Sequence, residues 1–305
     1  MKKTRILFEK ERPSVHEKSC MLSIGNFDGF HRGHKKIIEC LKKEAVKRNM
    51  LSAVVLFEKH TAEVINGIKG PYLTTPAEKR SFLEKSGTDI IIFMRFNRRT
   101  AEMPADIFYK KKLKKLFKIG GFVLGYDHAF GKGRNTPESF IKEEIIRVSP
   151  AIKNGSAISS TRIRREISSG RISSALSMLG HPYLLSGTVV RGKSIGKKLG
   201  FPTANIPVDP ESKALPPPGV YAVTCLAEKM AERKAVLNIG NAETFGGSCE
   251  NLAEVHIPGF SGDLYGKTLQ ILLRKKIRKE KRFSKMEPLI KQIEKDIKKA
   301  DKLLT

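Results

Sequence analysis

Tryptophan is absent from the 305 residues and only 7% are aromatic, so the basic clusters carry no interleaved rings of the kind that stack on nucleic-acid bases. Cysteine is scarce: Cys20, Cys40, Cys225 and Cys249 stand far apart with no C-x-x-C pair. That spacing argues against a disulfide framework or a structural zinc, and for reduced thiols in a reducing cytoplasm. Long apolar runs are missing too. The stretches Leu51–Phe57 and Ile90–Met94 are far too short to span a bilayer. The start, MKKTRILFEKERPS, has no apolar core and no small-residue cleavage site, so no signal peptide is expected. Acid is in short supply, with 31 Asp and Glu against 58 Lys and Arg, a formal charge of +27. Such an excess attracts polyanions. It equally suits a lysine-rich source and substrates that carry phosphate. The basic residues are spread along the chain, densest at Lys110–Lys118 and Arg274–Arg282, with no recognisable nucleic-acid-binding module. Specific nucleic-acid binding and membrane attachment are therefore not expected.

The chain is long enough for two domains, and its two halves differ in pattern. In the first half, short apolar strands at Met21–Gly25, Ser52–Phe57, Asp89–Met94 and Gly121–Gly125 alternate with helical patterns at His34–Arg48, Pro76–Lys85 and Pro104–Phe117. Such alternation predicts a parallel sheet covered on both faces. From about Tyr183 the spacing changes. Strand-like runs at Leu184–Arg191, Gly219–Ala227, Ala235–Gly240, Ala253–Ile257 and Thr268–Ile277 are separated by Gly and Pro, which predicts a small antiparallel barrel. A helix over Lys285–Leu303 closes the chain. The boundary is expected at residues 182–183.

The turn Gly25-Asn26-Phe27-Asp28-Gly29-Phe30-His31-Arg32-Gly33-His34 joins the first strand to the first helix. In an open α/β sheet ligands sit at the carboxyl ends of strands, where helix N–H groups attract phosphate. Two imidazoles there can donate to phosphate oxygens as charge builds. By itself a His pair is more simply two surface histidines at a helix start. A zinc pair would need a cysteine or acid at ligand spacing, and none follows. A second segment, Ile158-Ser159-Ser160-Thr161-Arg162-Ile163-Arg164-Arg165, reads as a helix N-terminus capped by Ser159 or Ser160, with hydroxyls and guanidinium groups suited to a departing pyrophosphate. Taken singly, these residues fit a capped, solvated basic helix as well.

In the second half, Gly192-Lys193-Ser194-Ile195-Gly196-Lys197-Lys198 misses the P-loop pattern in its glycine spacing and lacks the hydroxyl after the lysine. The segment Lys198-Leu199-Gly200-Phe201-Pro202-Thr203-Ala204-Asn205 is more specific. Thr203 and Asn205, two apart on an extended segment, face one side and can hold magnesium and a phosphate. Glu254, in Ala253-Glu254-Val255-His256-Ile257, reads without further context as an outward-facing acid on a strand.

Together these motifs closely resemble bacterial bifunctional riboflavin kinase/FAD synthetases along nearly the whole chain. The resemblance implies a Rossmann-like nucleotidyltransferase domain (residues 1–182) followed by a six-stranded antiparallel riboflavin kinase barrel with a C-terminal helix (residues 183–305). It implies phosphorylation of riboflavin to FMN and adenylylation of FMN to FAD, with ATP as co-substrate and Mg2+ as cofactor. His31 and His34 then contact ATP phosphates within Gly25, Asn26, Phe27, Asp28 and Gly33, while Ser159, Ser160, Thr161, Arg162 and Arg164 complete the adenylylation site. Asp127, in the run Gly125–Gly131, lies near adenine and flavin. Gly192, Gly200, Thr203 and Asn205 bind Mg-ATP, with Thr203 and Asn205 on the metal. Glu254 is the base that takes the riboflavin 5′-hydroxyl proton, and Arg278 lies near the flavin. The chain departs from the family pattern at Lys59-His60-Thr61 where a Pro-His-Pro element is usual, at His128, at Thr136-Pro137, and at Glu243 before Thr244. The first three fall in the adenylylating half, which is accordingly expected to be the more fragile function. Two other readings use the same residues: a riboflavin kinase with a weak adenylylating half, and a basic nucleic-acid- or flavin-binding regulator without turnover.

Overall fold

Apolar runs bounded by turn residues become strands here, and the charged periodic segments between them become helices that cover the strands. The computed structural model describes residues 4–9, 15–67, 69–129, 131, 136–192, 195–209, 211–228, 230–240 and 252–305. They form two units, Met1–Gly70 with Thr74–Ser160, and Pro71–Leu73 with Thr161–Thr305.

The first unit holds a six-stranded sheet of β1 (Arg5–Phe8), β2 (Val15–Gly25), β3 (Leu51–Phe57), β4 (Ile90–Met94), β5 (Phe117–Gly125) and β6 (Ile145–Val148). Their order is β1-β4-β3-β2-β5-β6, and every neighbouring pair is parallel. Parallel strands buried on both faces carry near-continuous apolar sequence, and Ile90–Met94 is buried throughout. Leu22, Ile24, Val55 and Ile92 pack on one face, and Met21, Val54, Leu56 and Ile91 on the other. Helix α1 (Arg32–Lys47) covers the second face with Ile38, Leu41 and Ala45, while α2 (Thr61–Asn66) and α3 (Pro76–Glu84) follow β3. From β2 the chain runs to β3 on one side and later returns to β5 on the other. The strand order therefore reverses between the carboxyl ends of β2 and β5, where open α/β sheets bind ligands.

Two strands, β1 and β6, lie outside the sequence-based expectation. Both are four-residue edge strands that include an arginine, Arg5 and Arg147, and so short a run shows no period. The expected helix over Pro104–Phe117 is broken. After α4 (Arg98–Ala101) come α5 (Ala105–Phe108), a π-helical turn over Tyr109–Leu113 and α6 (Lys114–Leu116), and Phe117 already opens β5. A two-stranded hairpin, β7 (Ile152–Lys153) with β8 (Ser156–Ala157), precedes α7 (Ser160–Ser168) and α8 (Ile172–Leu179).

The second unit is built on β9 (Tyr183–Thr188), β10 (Thr203–Pro207), β11 (Gly219–Ala227), β12 (Met230–Gly240), β13 (Leu252–His256) and β14 (Thr268–Lys279). The order is β10-β13-β12-β11-β14-β9, all antiparallel. A bridge between Val190 and Asn205 brings the two ends of this order towards closure. Alternation sorts the side chains. Tyr221, Val223, Leu237, Val255, Ile271 and Leu273 fill the interior. Val220, Ala222, Val236 and Ile277 face outwards and are covered by α10 (Met286–Leu303) through Ile297, Ala300 and Leu303. A short helical turn, α9 (Ile195–Lys198), leads into β10.

Helix α10 is pinned as well as packed. The Arg278 Nε donates to both Asp296 oxygens at 3.1 and 2.9 Å, and Gln292 donates to the same carboxylate at 2.9 Å. The Asp296 side chain is 5% exposed. Removing one partner of a buried pair strands the other charge, at a cost of about 3–5 kcal/mol. Asp296→Ala should therefore lower the denaturation midpoint of the second unit by that order. An unchanged midpoint would show that the apolar face alone holds the helix.

Candidate functional site

At the carboxyl end of β2 the backbone takes an unusual path. Phe27 and Phe30 have φ of 47° and 40°, and Gly29 between them has 76°. Left-handed backbone at a bulky residue costs on the order of 1–3 kcal/mol. Burial offsets that cost: both rings sink into the core among Ile38, Leu41 and Leu56. Phe27 thus offers a ligand its backbone rather than its ring. Asp28 is 2% exposed, and its Oδ1 accepts from the Thr74 N–H at 3.0 Å and the Thr74 hydroxyl at 3.1 Å. Thr74 Oγ1 in turn accepts from the Gly29 N–H at 3.1 Å. The Asp28 carbonyl accepts from the Ser160 hydroxyl at 2.8 Å.

The turn delivers His31 as the N-cap of α1, with Nδ1 accepting from the N–H groups of Gly33 at 3.1 Å and His34 at 3.4 Å. An Nδ1 that accepts leaves the proton of the neutral ring on Nε2. Gly33 is required by this contact: a Cβ there would lie 3.0 Å from the His31 ring. The His34 ring stacks on His31 with centroids 3.7 Å apart and leans on Phe27. Its Nδ1 is buried and has no hydrogen-bond partner among the described residues. Burial first, then His31 and Lys79, push its pKa well below the usual imidazole value. Asn26 is engaged with the loop after β3, donating to the Thr61 hydroxyl at 2.8 Å and accepting from the Thr61 N–H at 3.2 Å.

Of the remaining residues expected in this half, Gly25 ends β2 and Asp127 is exposed just beyond β5. The loop carrying Asp127 is tied by Arg147, which donates to the carbonyls of Gly125 and His128 at 2.9 and 2.8 Å and pairs with Glu138. Phe130, in the same run, lies outside the described residues, as do Arg134, Lys193, Ser194, Glu243 and Thr244. Ser159 and Ser160 belong to the first unit, and α7 starts at Ser160. Thr161, Arg162 and Arg164 continue this helix and are grouped with the second unit, with the Arg164 guanidinium on the Thr161 hydroxyl at 3.0 Å. Sequence reasoning passed over Thr74, Lys79 and Arg147.

The second unit collects its residues by strand register. Asn205 on β10 lies opposite Glu254 on β13, which lies opposite Asn238 on β12. Directly paired residues share a face, here the outer one. Thr203 is on that face too, opposite His256. The Asn238 side chain hydrogen-bonds Glu254, favouring its charged form, but burial outweighs this and raises the Glu254 pKa. Gly192 lies against the Asn205 amide, where a Cβ would come within 2.4 Å of Nδ2. Gly200, with φ of 84°, turns the chain from α9 towards β10. Arg278 lies three strands from Glu254 along the same row, through Val220, or about 14 Å by strand spacing, and its guanidinium is held by Asp296. Asn238 is the member that sequence reasoning missed, because nothing local marks a residue whose partner is sixteen positions away on another strand.

Two outcomes follow from the first site. Thr74→Val deletes the hydroxyl that serves both Asp28 and Gly29, leaving buried groups unpaired at about 1–3 kcal/mol. The first unit should lose that much stability on denaturant titration, and an unchanged midpoint would show that the turn holds without it. His34 is neutral when folded and takes a proton when unfolded as pH falls through about 6.5. Stability present above that pH should decline progressively below it. His34→Gln should flatten the decline, as melting temperatures from pH 7.5 to 5 would reveal.

Comparison with known proteins finds a match for each half of the chain. A family model described as FAD synthetase matches residues 14–162, and one described as riboflavin kinase matches residues 179–304. A bifunctional riboflavin kinase/FMN adenylyltransferase of Escherichia coli K12 is 37% identical over 288 residues, covering 92% of this chain and 91% of that protein. One from Haemophilus influenzae is 33% identical over 289 residues, covering 92% and 93%. A crystal structure from Streptococcus pneumoniae, described as a macrolide-efflux protein, is 28% identical with a TM-score of 0.80 over 93% of this chain and 97% of that one. Matched by a model in each half and by relatives along nearly its whole length, the chain belongs to the bifunctional riboflavin kinase/FMN adenylyltransferase family.

Proposed function

We propose that this chain carries both activities of its family: transfer of the ATP γ-phosphoryl group to riboflavin, giving FMN and ADP, and transfer of AMP from ATP to FMN, giving FAD and pyrophosphate. The observation that carries the reading is the tandem match of the two family models, 14–162 and 179–304, each containing its own polar constellation. The chemistry is proposed to divide at residues 182–183, where β9 is about to begin. An export role, which the description of the pneumococcal structure would suggest, has no such support. No helix among the described residues is long and apolar enough to cross a membrane. Dependence on ATP puts the proposed work in the cytoplasm.

For adenylylation, an FMN phosphate oxygen attacks the α-phosphorus of ATP, and the bond to the β-phosphate oxygen breaks. No protein nucleophile is needed, so positioning and charge stabilisation carry the rate. His31 offers its Nε2 proton to a phosphate oxygen, and His34 supports it from a site where both rings stay neutral. Gly25, Asn26, Asp28 and Gly33 shape the turn, and Asp127 borders adenine and flavin. Ser159, Ser160, Thr161, Arg162 and Arg164 receive the departing pyrophosphate, as the resemblance implies.

For the kinase, the Glu254 carboxylate takes the proton of the riboflavin 5′-hydroxyl as that oxygen attacks the γ-phosphorus and ADP leaves. Asn238 holds the carboxylate. The hydroxyl of Thr203 and the amide oxygen of Asn205 are hard, neutral donors that suit magnesium sharing its shell with phosphate and water. Magnesium would neutralise charge on the transferring phosphates. Gly192 and Gly200 shape the approach to β10. Arg278 is assigned the indirect part of fixing α10 through Asp296.

The positive charge is proposed not to be a specific nucleic-acid site. In its densest run, Lys110, Lys112 and Lys114 pair with Asp106, Glu9 and Glu143.

Incubation with riboflavin, ATP and magnesium should give both FMN and FAD, resolved by chromatography; neither product would sink the reading. Glu254→Gln should lower FMN formation by about 10²–10⁴-fold and spare FAD formation from supplied FMN. His31→Ala with His34→Ala should do the reverse. Unchanged kinase activity in the first variant would place the base elsewhere.

A further inference from the structure

Beside the turn after β2 lies a largely buried lysine with no ion-pair partner among the described residues. Lys79 sits on α3 and is only 6% exposed. A lysine that deeply buried is almost always paired. Its ammonium nevertheless makes no hydrogen bond, and no ion pair within 4.0 Å, among the described residues. The nearest acid is Asp28, whose Oδ1 already accepts from the N–H and hydroxyl of Thr74. Attraction to Asp28 supports the charged lysine, but burial outweighs it and lowers the pKa. The same ammonium is close enough to His34 to help hold that ring neutral. Around the turn after β2 thus stand a largely buried lysine with no contacting acid among the described residues, a buried imidazole nitrogen with no hydrogen-bond partner among them, and the His31 ring stacked on that imidazole. Burying a charge carries a desolvation penalty of several kcal/mol that only a close opposite charge or polar ligand offsets. Among the described residues no acid contacts the ammonium, and a small multivalent anion from solution would supply the opposite charge.

We propose that Lys79 is a third phosphate-binding side chain of the adenylylation site, its ammonium facing the ATP polyphosphate beside His31 and His34. The inference rests on the reading of Gly25–His34 as that site, and it deepens that reading. Both imidazoles are uncharged, so they orient and donate but do not neutralise. Lys79 supplies a formal positive charge where negative charge grows on the β-phosphate oxygen as its bond to the α-phosphorus breaks. In a dry setting such a charge acts far more strongly than at the surface. The bare protein accepts a destabilising feature that becomes favourable only when the nucleotide is bound.

The decisive variant is Lys79→Met in the full chain, which keeps length and apolar stem while removing the charge. FAD formation from FMN and ATP should fall by about 10²–10³-fold, while FMN formation from riboflavin in the same preparation stays within about twofold. The ligand-free melting temperature of the first unit should hold or rise, because an uncompensated buried charge is gone. Its increase on addition of inorganic pyrophosphate, present in the unaltered chain, should disappear. Lys79→Arg, which keeps the charge, should recover part of both. The alternative, a lysine that merely steadies the Asp28 turn, requires the opposite pair: a lower melting temperature in Lys79→Met with the pyrophosphate effect retained. Either that pair or FAD formation within about threefold of the unaltered chain would overturn the proposal. Failure of the underlying reading looks different: the His31→Ala, His34→Ala double variant would then keep making FAD, whatever Lys79→Met does.

Discussion

Two phenylalanines held in left-handed backbone conformation fix the first site. Phe27 and Phe30 leave β2 by a path that their side chains disfavour, and only the burial of both rings in the core between the sheet and α1 holds them there. The contacts of the Gly25–His34 turn follow from that path. It presents Asp28 to Thr74, sets His31 as the cap of α1, and directs Nδ1 of His31 to two backbone N–H groups so that Nε2 carries the proton. It also brings the His34 ring into stacking distance of His31, whose own ring lies 3.0 Å from where a Cβ at Gly33 would stand. The site is therefore rigid because hydrophobic packing is spent on its backbone, not because its polar groups bind one another tightly.

The second site depends on strand register instead. Alternation puts Ala204, Leu237 and Val255 towards one face and Asn205, Asn238 and Glu254 towards the other, and a slip of one residue in β13 would exchange the two sets. The buried side chains of the interior thus hold the outer row in place. On the same outer face, α10 covers the apolar patch around Val220, Ala222 and Val236, and the Arg278–Asp296 pair fixes it at one end of the row.

What sequence reading recovered is what is local. The Gly25–His34 turn, Ser160 at the start of a helix, and Thr203 with Asn205 are each legible within ten residues. Asn238 and Lys79 are not. One matters through a strand partner sixteen residues on, and the other looks like any solvated lysine until α3 is seen to bury it. A signal did exist near Lys79: Thr75-x-x-Glu78 is a capping-box pattern, and the structure shows that box formed at the start of α3. It marks the start of the helix expected over Pro76–Lys85, though not its buried face. The substitution at Thr61 shows the same limit from the other direction. Against the family pattern it reads as a lost proline, yet the Thr61 N–H donates to Asn26, a bond that proline cannot make. A departure counted as weakening the site supplies a contact to it.

The two sites use burial to opposite ends. In the first, burial disfavours the protonated forms of both His34 and Lys79. In the second, burial raises the pKa of Glu254, which makes the carboxylate a stronger base but reduces the fraction that is ionised. The Asn238 hydrogen bond works against that loss by favouring the charged form. Burial and the amide donor thus pull the Glu254 equilibrium in opposite directions, and burial prevails. The same physical term thus disfavours a cation in one half of the chain and an anion in the other.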